Sequence, residues 1–333
     1  MGLALAVVVA LAFDVTNGFH DSSNAISALV VTRAGRPGPA VAMVGVLNLA
    51  GPLLAGTAVA STIGGIITVP ADQMVAVVGA GLTAALTWNL LTWWRGLPSS
   101  SSHALVGGLV GAGLLEGGIH AVNWGGFDGL HPEGVIGVLT ALAVSPVIGF
   151  GVALVGIRLA RRGLRRARRN VVGVVRRGEW ASAAALAFSH GANDAQKTMG
   201  VITALLVAEG RLDAFVVPSW VRLASAVALT LGTLAGGWRI VRTLGRGIYR
   251  ITSLDGLVSQ SGSAAIILGG AAVGAPISTT HVVASSVVGV GAGDRSHHVR
   301  WSVATEIVGG WLLTLPGSAV LGMLALVVWR GLT

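Results

Sequence analysis

The sequence predicts an all-α, polytopic membrane protein built from two related, inverted repeats, with broken helices, re-entrant helix starts and about 10–12 membrane segments. Three observations carry that reading. Long runs lack charge, glycine is abundant inside those runs, and two pairs of polar motifs recur in the same order on either side of one basic stretch.

The apolar runs come first. Hydrophobic residues make up 53% of the 333, charged residues only 11%, and the mean hydropathy is +0.79, outside the range of soluble domains. Residues 135–157 form 23 positions without a charge, enough at about 1.5 Å per residue to cross a hydrocarbon layer of roughly 30 Å. Further spans are expected over 41–68, 75–94, 223–238 and 301–329, where the single charge is Glu306. The 50 glycines suit helices that pack backbone to backbone, as Gly107 and Gly111 would at small-xxx-small spacing. A transmembrane barrel is excluded because its strands would alternate apolar and polar residues, whereas these runs are apolar all round.

The ends and the charges come next. The N-terminal run MGLALAVVVALAF has no basic residue before it and enters a polar motif directly, so it reads as half of a broken helix rather than a signal peptide. There is no cysteine, so no thiolate metal site and no disulfide are possible. The formal net charge is +9, and nine arginines with no acid lie between 158 and 177. A nucleic-acid patch would have that composition too, but a basic loop between apolar spans marks the cytoplasmic face and contacts anionic lipid. The expected organisation is therefore a first transmembrane repeat at 1–157, a basic cytoplasmic loop at 158–178 and a second transmembrane repeat at 179–333.

The duplication is visible in the motifs. Gly18-Phe-His-Asp-Ser-Ser-Asn24 and a later Pro98-Ser-Ser-Ser-Ser-His103 are answered by Gly191-Ala-Asn-Asp-Ala-Gln-Lys197 and Pro276-Ile-Ser-Thr-Thr-His281. Asp21 and Asp194 are 173 positions apart and Pro98 and Pro276 are 178 apart, so the halves keep register within five residues. A weaker echo pairs Leu54-Ala-Gly-Thr57 and Gly64-Gly65 with Thr230-Leu-Gly-Thr233 and Gly236-Gly237. Membrane proteins made of two repeats place a substrate at the repeat interface near the midplane, where interrupted helices expose backbone groups.

Within these motifs the residue types point to an oxyanion. Asp21, Asp194 and Lys197 are ionisable groups at membrane depth, where they are costly without a partner. Lys197 is the only lysine and stands one turn from Asp194, close enough to pair with it. That pair could also be purely structural. Asp14, four residues before Gly18, is compatible with a helix end. The Pro-x-Ser-Ser/Thr-Ser/Thr-His motifs are helix starts, with Ser100, Ser101 and Ser102 in one and Ser278, Thr279 and Thr280 in the other. At membrane depth two such starts offer free backbone N–H groups, hydroxyls and positive dipole ends to a tetrahedral anion. Carboxylates beside an anion require that the substrate bring a proton or a metal ion. Hydrogen phosphate can donate to a carboxylate and sulfate cannot, and a divalent cation held by Asp21 and Asp194 would suit a metal–phosphate complex. His20, His103, His190 and His281 lie in or beside the motifs, either as proton relays or as neutral partners that fix the loops.

The pattern resembles the inorganic phosphate transporter family, whose repeats each carry a Gly-x-Asn-Asp-x-x-Asn motif, and is similar above all to the bacterial low-affinity phosphate permeases. The similarity runs through residues 13–25, 88–108, 190–203, 236–245, 276–281 and 311–316. It implies phosphate import across the plasma membrane, a homodimer, and phosphate coordination by Asp21, Asn24, Ser100, Ser101 and Ser102 from one half and Asn193, Asp194, Ser278, Thr279 and Thr280 from the other. His20 replaces the first motif Asn of repeat one, and Lys197 the last motif Asn of repeat two. Both changes remove amide oxygens that could hold sodium, so the expected coupling ion is a proton and no cofactor is expected.

Alternatives from the same sequence are a sodium-coupled phosphate or sulfate symporter, a passive anion channel, and an intramembrane hydrolase using Ser, His and Asp. The hydrolase reading sits poorly with the symmetry, because a hydrolase needs one nucleophile and one base while every polar element here occurs twice.

Overall fold

A computed structural model describes residues 2–167, 171–235 and 247–332, and these form eleven α-helices and one two-stranded ribbon. The first half contributes α1 (Gly2–Val31), α2 (Pro37–Leu54), α3 (Ala58–Gly64), α4 (Ala71–Arg95), α5 (Ser101–Gly117) and α6 (Gly134–Gly163). The second contributes α7 (Val171–Ala208), α8 (Ser219–Ala235), α9 (Ser253–Ala272), α10 (Thr279–Arg295) and α11 (Trp301–Trp329). The ribbon, β1 (Gly126–Asp128) with β2 (His131–Glu133), is antiparallel and lies between α5 and α6. Six described helices, α1, α2, α4, α5, α6 and α11, are long and apolar enough to cross a membrane. The motif-bearing α7, the 17-residue α8, the 20-residue α9 and the 17-residue α10, which starts in the second Pro-x-Ser motif, complete the bundle.

The repeats are inverted. Helices α1 and α7 carry equivalent motifs yet run antiparallel: Asp14 meets Thr198, Asn17 meets Asp194, and Thr32 at the far end of α1 meets Glu179 near the start of α7. The halves are also interleaved. Helix α2 packs on α7 and α8 on α1, while α6 packs on α10 and α11 on α5. Neither half can therefore bury its own apolar faces alone.

Glycine sets how closely the halves cross. A Cβ on Gly18 would come within 2.8 Å of Thr233 N, and one on Gly232 within 3.0 Å of Phe19 N, so α1 and α8 touch through backbone. The symmetric crossing uses Gly191, whose Cβ would lie 2.9 Å from Asn48 Cα, and Gly51, 2.6 Å from Ala192 N. Gly51 is thus the counterpart of Gly232; a Cβ on Gly56 meets nothing, so the expected pairing of 54–57 with 230–233 is displaced by five residues. Gly107 and Gly111 do form a close face, against Leu315, Ser318 and Ala319 of α11.

Other expectations are revised. The polar motif does not break the first helix: α1 is continuous for 30 residues. Its polar side chains are satisfied by neighbouring helices, so the backbone ladder need not open. Asp14 accordingly lies inside a helix, not at its end. The span expected over 41–68 is interrupted at residues 55–57, between α2 and α3. The basic stretch at 158–178 is mostly helical, formed by the ends of α6 and α7, with Arg161 anchored to Asp294 at 2.8 Å and Asp255 at 3.3 Å. Arg168 and Arg169, and the expected features at 236–245, which include Gly236, Gly237 and Trp238, lie outside the described residues.

Candidate functional site

Polar side chains fill the middle of the bundle. His20, Asp21, Ser22, Ser23 and Asn24 of α1 are consecutive and all buried, as are His190, Asn193, Asp194 and Lys197 of α7. Helix surfaces polar on every side are stable at this depth only when protein rather than lipid surrounds them.

Two helix starts close the site. Ser100 caps α5 by accepting from His103 N at 3.1 Å, and Ser278 caps α10 by accepting from His281 N at 3.3 Å. For these two serines the capping reading holds. The starts face each other: the rings of His103 and His281 stand 4.7 Å apart, and Ser102 Oγ reaches Ile277 O at 3.5 Å. His281 also stacks on Trp311 at 3.8 Å, and Trp311 Nε1 donates to Pro98 O at 3.0 Å, which ties α11 to both helix starts.

The two carboxylates converge on α10. Thr279 Oγ1 lies 3.1 Å from Asp21 Oδ2 and 3.3 Å from Asp194 Oδ2. Thr280 donates to Asp21 Oδ1 and accepts from Asn24 Nδ2 at 3.3 Å. His20 Nδ1 approaches Asp21 Oδ1 at 3.1 Å. Asp194 Oδ1 binds Lys197 Nζ at 2.6 Å, with both side chains fully buried. Asn193, with its amide turned to match its surroundings, donates to Ile277 O at 3.2 Å and Asp194 Oδ1 at 3.3 Å. His190 stands between the acids, with Nε2 3.1 Å from Asp194 Oδ2 and 3.8 Å from Asp21 Oδ2. Its Nδ1 lies 3.1 Å from Asn48 Oδ1, and Asn48 Nδ2 donates to Thr233 Oγ1 at 2.8 Å. Ligand atoms of Asp21, His190 and Asp194 all fall within 4.8 Å of one another, a spacing that could hold a divalent cation.

The predicted residues of both halves are thus brought together, with Ser101 buried beside Ser100 and Ser102 at the start of α5. Sequence reasoning missed a supporting set: Asn17, whose Nδ2 is 3.3 Å from Asp194 Oδ2, Asn48, and the pair Thr92 and Ser99, 2.8 Å apart and each 3.4 Å from His20 Nε2. Asn17 stands one turn before Asp21, so its i, i+4 spacing was a usable signal. Asn48 lies in an apolar run with no motif around it; Thr92 falls in the 88–108 stretch that carries the family resemblance, which was a usable signal.

An enclosed, two-fold polar cluster at the interface of inverted repeats places the chain in the class of membrane transporters built from two repeats. Residues 17–173 and 162–322 each match the phosphate transporter family. A probable low-affinity inorganic phosphate transporter of Mycobacterium tuberculosis is 44% identical, covering 96% of this chain and 76% of that one. Those of Bacillus subtilis and Rhizobium meliloti are 42% and 40% identical, each covering 96% of this chain and 95% and 93% of theirs. A solved structure described as a sodium-dependent phosphate transporter superposes with a TM-score of 0.87 over the full length of both chains at 24% identity, a likeness of fold. The chain belongs to the phosphate transporter family. It is a multi-pass plasma membrane protein that transports phosphate, and the family and these relatives are transporters rather than enzymes, which sets the hydrolase reading aside.

Proposed function

We propose that the chain imports inorganic phosphate in symport with protons, holding the anion between the starts of α5 and α10 and the carboxylates of α1 and α7. In this reading Asp21, Asn24, Ser100, Ser101 and Ser102 from one repeat and Asn193, Asp194, Ser278, Thr279 and Thr280 from the other surround the substrate, with Lys197 charge-balancing it. The antiparallel repeats exchange roles as the site opens to either face.

One observation carries the choice of ion. Lys197 Nζ lies on Asp194 at 2.6 Å, where the family motif has an amide. An ammonium group there fills the space of a sodium ion and repels it. Support also comes from His190. Its Nδ1 is committed to the Asn48 carbonyl oxygen, so a proton on Nε2 would bridge two carboxylates that otherwise repel each other. Hydrogen phosphate, which can donate to a carboxylate, fits the same acids.

A second reading, cotransport of a divalent metal–phosphate complex, rests on the Asp21, His190 and Asp194 cluster. Uptake of radiolabelled phosphate into proteoliposomes under separately imposed proton, sodium and magnesium gradients separates them. Acceleration by an inward proton gradient alone is expected. Acceleration by sodium at constant pH and membrane potential, with no response to protons, overturns the proposal, and an absolute requirement for magnesium favours the second reading. Assembly as a homodimer, implied by the family resemblance, belongs to the same proposal and is checked by mass measurement in nanodiscs.

A further inference from the structure

Asp14 stands apart from the paired motifs. It is fully buried in α1, two turns before Asp21, and the equivalent position of α7, 173 residues on, is Ala187. The substrate-facing acids come as a symmetric pair; this carboxylate occurs once. Lys197, where repeat one has Asn24, is another departure from two-fold symmetry, and the two are neighbours, because Thr198 Oγ1, next in sequence to Lys197, donates to Asp14 Oδ1 at 2.7 Å. Asp14 Oδ2 makes no hydrogen bond of ordinary geometry, and the one hydroxyl beside it, Ser225 Oγ on α8, makes none to any other group.

The surroundings favour a proton over a metal ion. Of the helices packed on α1, α7 presents Asp194 and Lys197 toward Asp14, while α2 carries no titratable residue. The only titratable residue of α8 is Arg222, in its first turn, and those of α4 are Asp72 and Arg95, at its two ends. Helices α9 and α10 engage the other half of α1, where Gln260 meets Ala25 and Thr279 meets Asp21. One carboxylate and two hydroxyls fall short of the six or so oxygens a hard metal cation gathers. A buried carboxylate oxygen without a donor is costly, and a single proton removes both the charge and the orphaned acceptor.

Resting on the proton-symport reading above, we infer that Asp14 is the site of the coupling proton, separate from the acids that hold phosphate. A proton from water on the outer side bonds to Oδ2 as phosphate enters, and the same O–H bond breaks toward cytoplasmic water after phosphate has left. The carboxylate is regenerated ionised, and no other atom is exchanged. Thr198 links this event to the Asp194–Lys197 pair through the backbone of α7.

The test separates exchange from coupled flux in proteoliposomes. Asp14→Asn is expected to keep phosphate–phosphate exchange within about threefold of wild type, which requires binding and alternation but no net proton movement. Proton-gradient-driven accumulation should fall at least tenfold, with no phosphate-dependent signal from a pH dye trapped in the lumen. If Asp14→Asn accumulates phosphate with the wild-type proton signal, or folds but loses exchange as well, the inference is overturned. Should that variant fail to fold, Thr198→Val decides: losing the donor to the ionised form should move the midpoint of the uptake–pH profile up by about one unit, and an unmoved midpoint overturns the inference. A wild-type protein that ignores a proton gradient would instead overturn the parent proposal.

Discussion

Replacing Lys197 by Met keeps an unbranched apolar chain as far as Cε and removes the ammonium group that sits 2.6 Å from Asp194 Oδ1. Both partners are fully buried, so Asp194 would be left as a charge without its cation. Breaking a buried pair from one side costs about 3–5 kcal/mol. Asp194 Oδ2 keeps Asn17, Thr279 and the nearby His190, which places the expected loss near the lower limit, about 3 kcal/mol. The double variant Asp194→Asn with Lys197→Met removes both charges, and should recover most of that loss relative to either single change. A thermal-unfolding cycle in detergent reads this directly, because ten tryptophans report on the bundle. None of the three variants should transport phosphate above a hundredth of the wild-type rate. If the double variant is destabilised by the sum of the two single changes, or Lys197→Met by less than about 1 kcal/mol, the pair is not the mutually dependent unit described here.

Further expectations concern the substrate and the packing. Asp21→Asn should lower phosphate uptake at least about a hundredfold while the protein stays inserted and monodisperse, because the carboxylate is needed at the site more than in the fold; near wild-type uptake would remove Asp21 from the site. Arsenate should inhibit uptake competitively and sulfate poorly, since sulfate has no proton to give a carboxylate; equal inhibition by both would refute that argument. Gly18→Ala and Gly191→Ala should each destabilise by about 1–3 kcal/mol and lower folded yield, since the new methyl would meet backbone of α8 or α2. Gly173→Ala, which meets nothing within 4 Å, is the neutral control, and equal yields of all three would refute the close-crossing account.

Much of this protein was determined by sequence alone. Solvent class follows from uncharged runs such as residues 135–157, because a helix satisfies its own backbone in lipid and the other solution, a closed barrel, would alternate apolar and polar residues. The duplication follows from motifs repeated in register, and the two helix starts follow from proline and hydroxyl chemistry that is local to a few residues: Ser100 and Ser278 cap as their spacing demands. What tertiary structure decided is everything that depends on which surfaces meet. Polar residues in the middle of α1 look like a break when seen alone. They remain helical because Thr279, Thr280 and α7 supply partners hundreds of positions away. The inversion of the repeats is a direction in space, visible only when Asp14 meets Thr198 and Thr32 meets Glu179. Asn48 and Ser225 carry no motif, so nothing local marks them, and Thr92 is marked only by its place in the 88–108 stretch. Their significance comes from packing against His190, His20 and Asp14, and packing is set by the crossing of glycine faces between halves rather than by any stretch of chain.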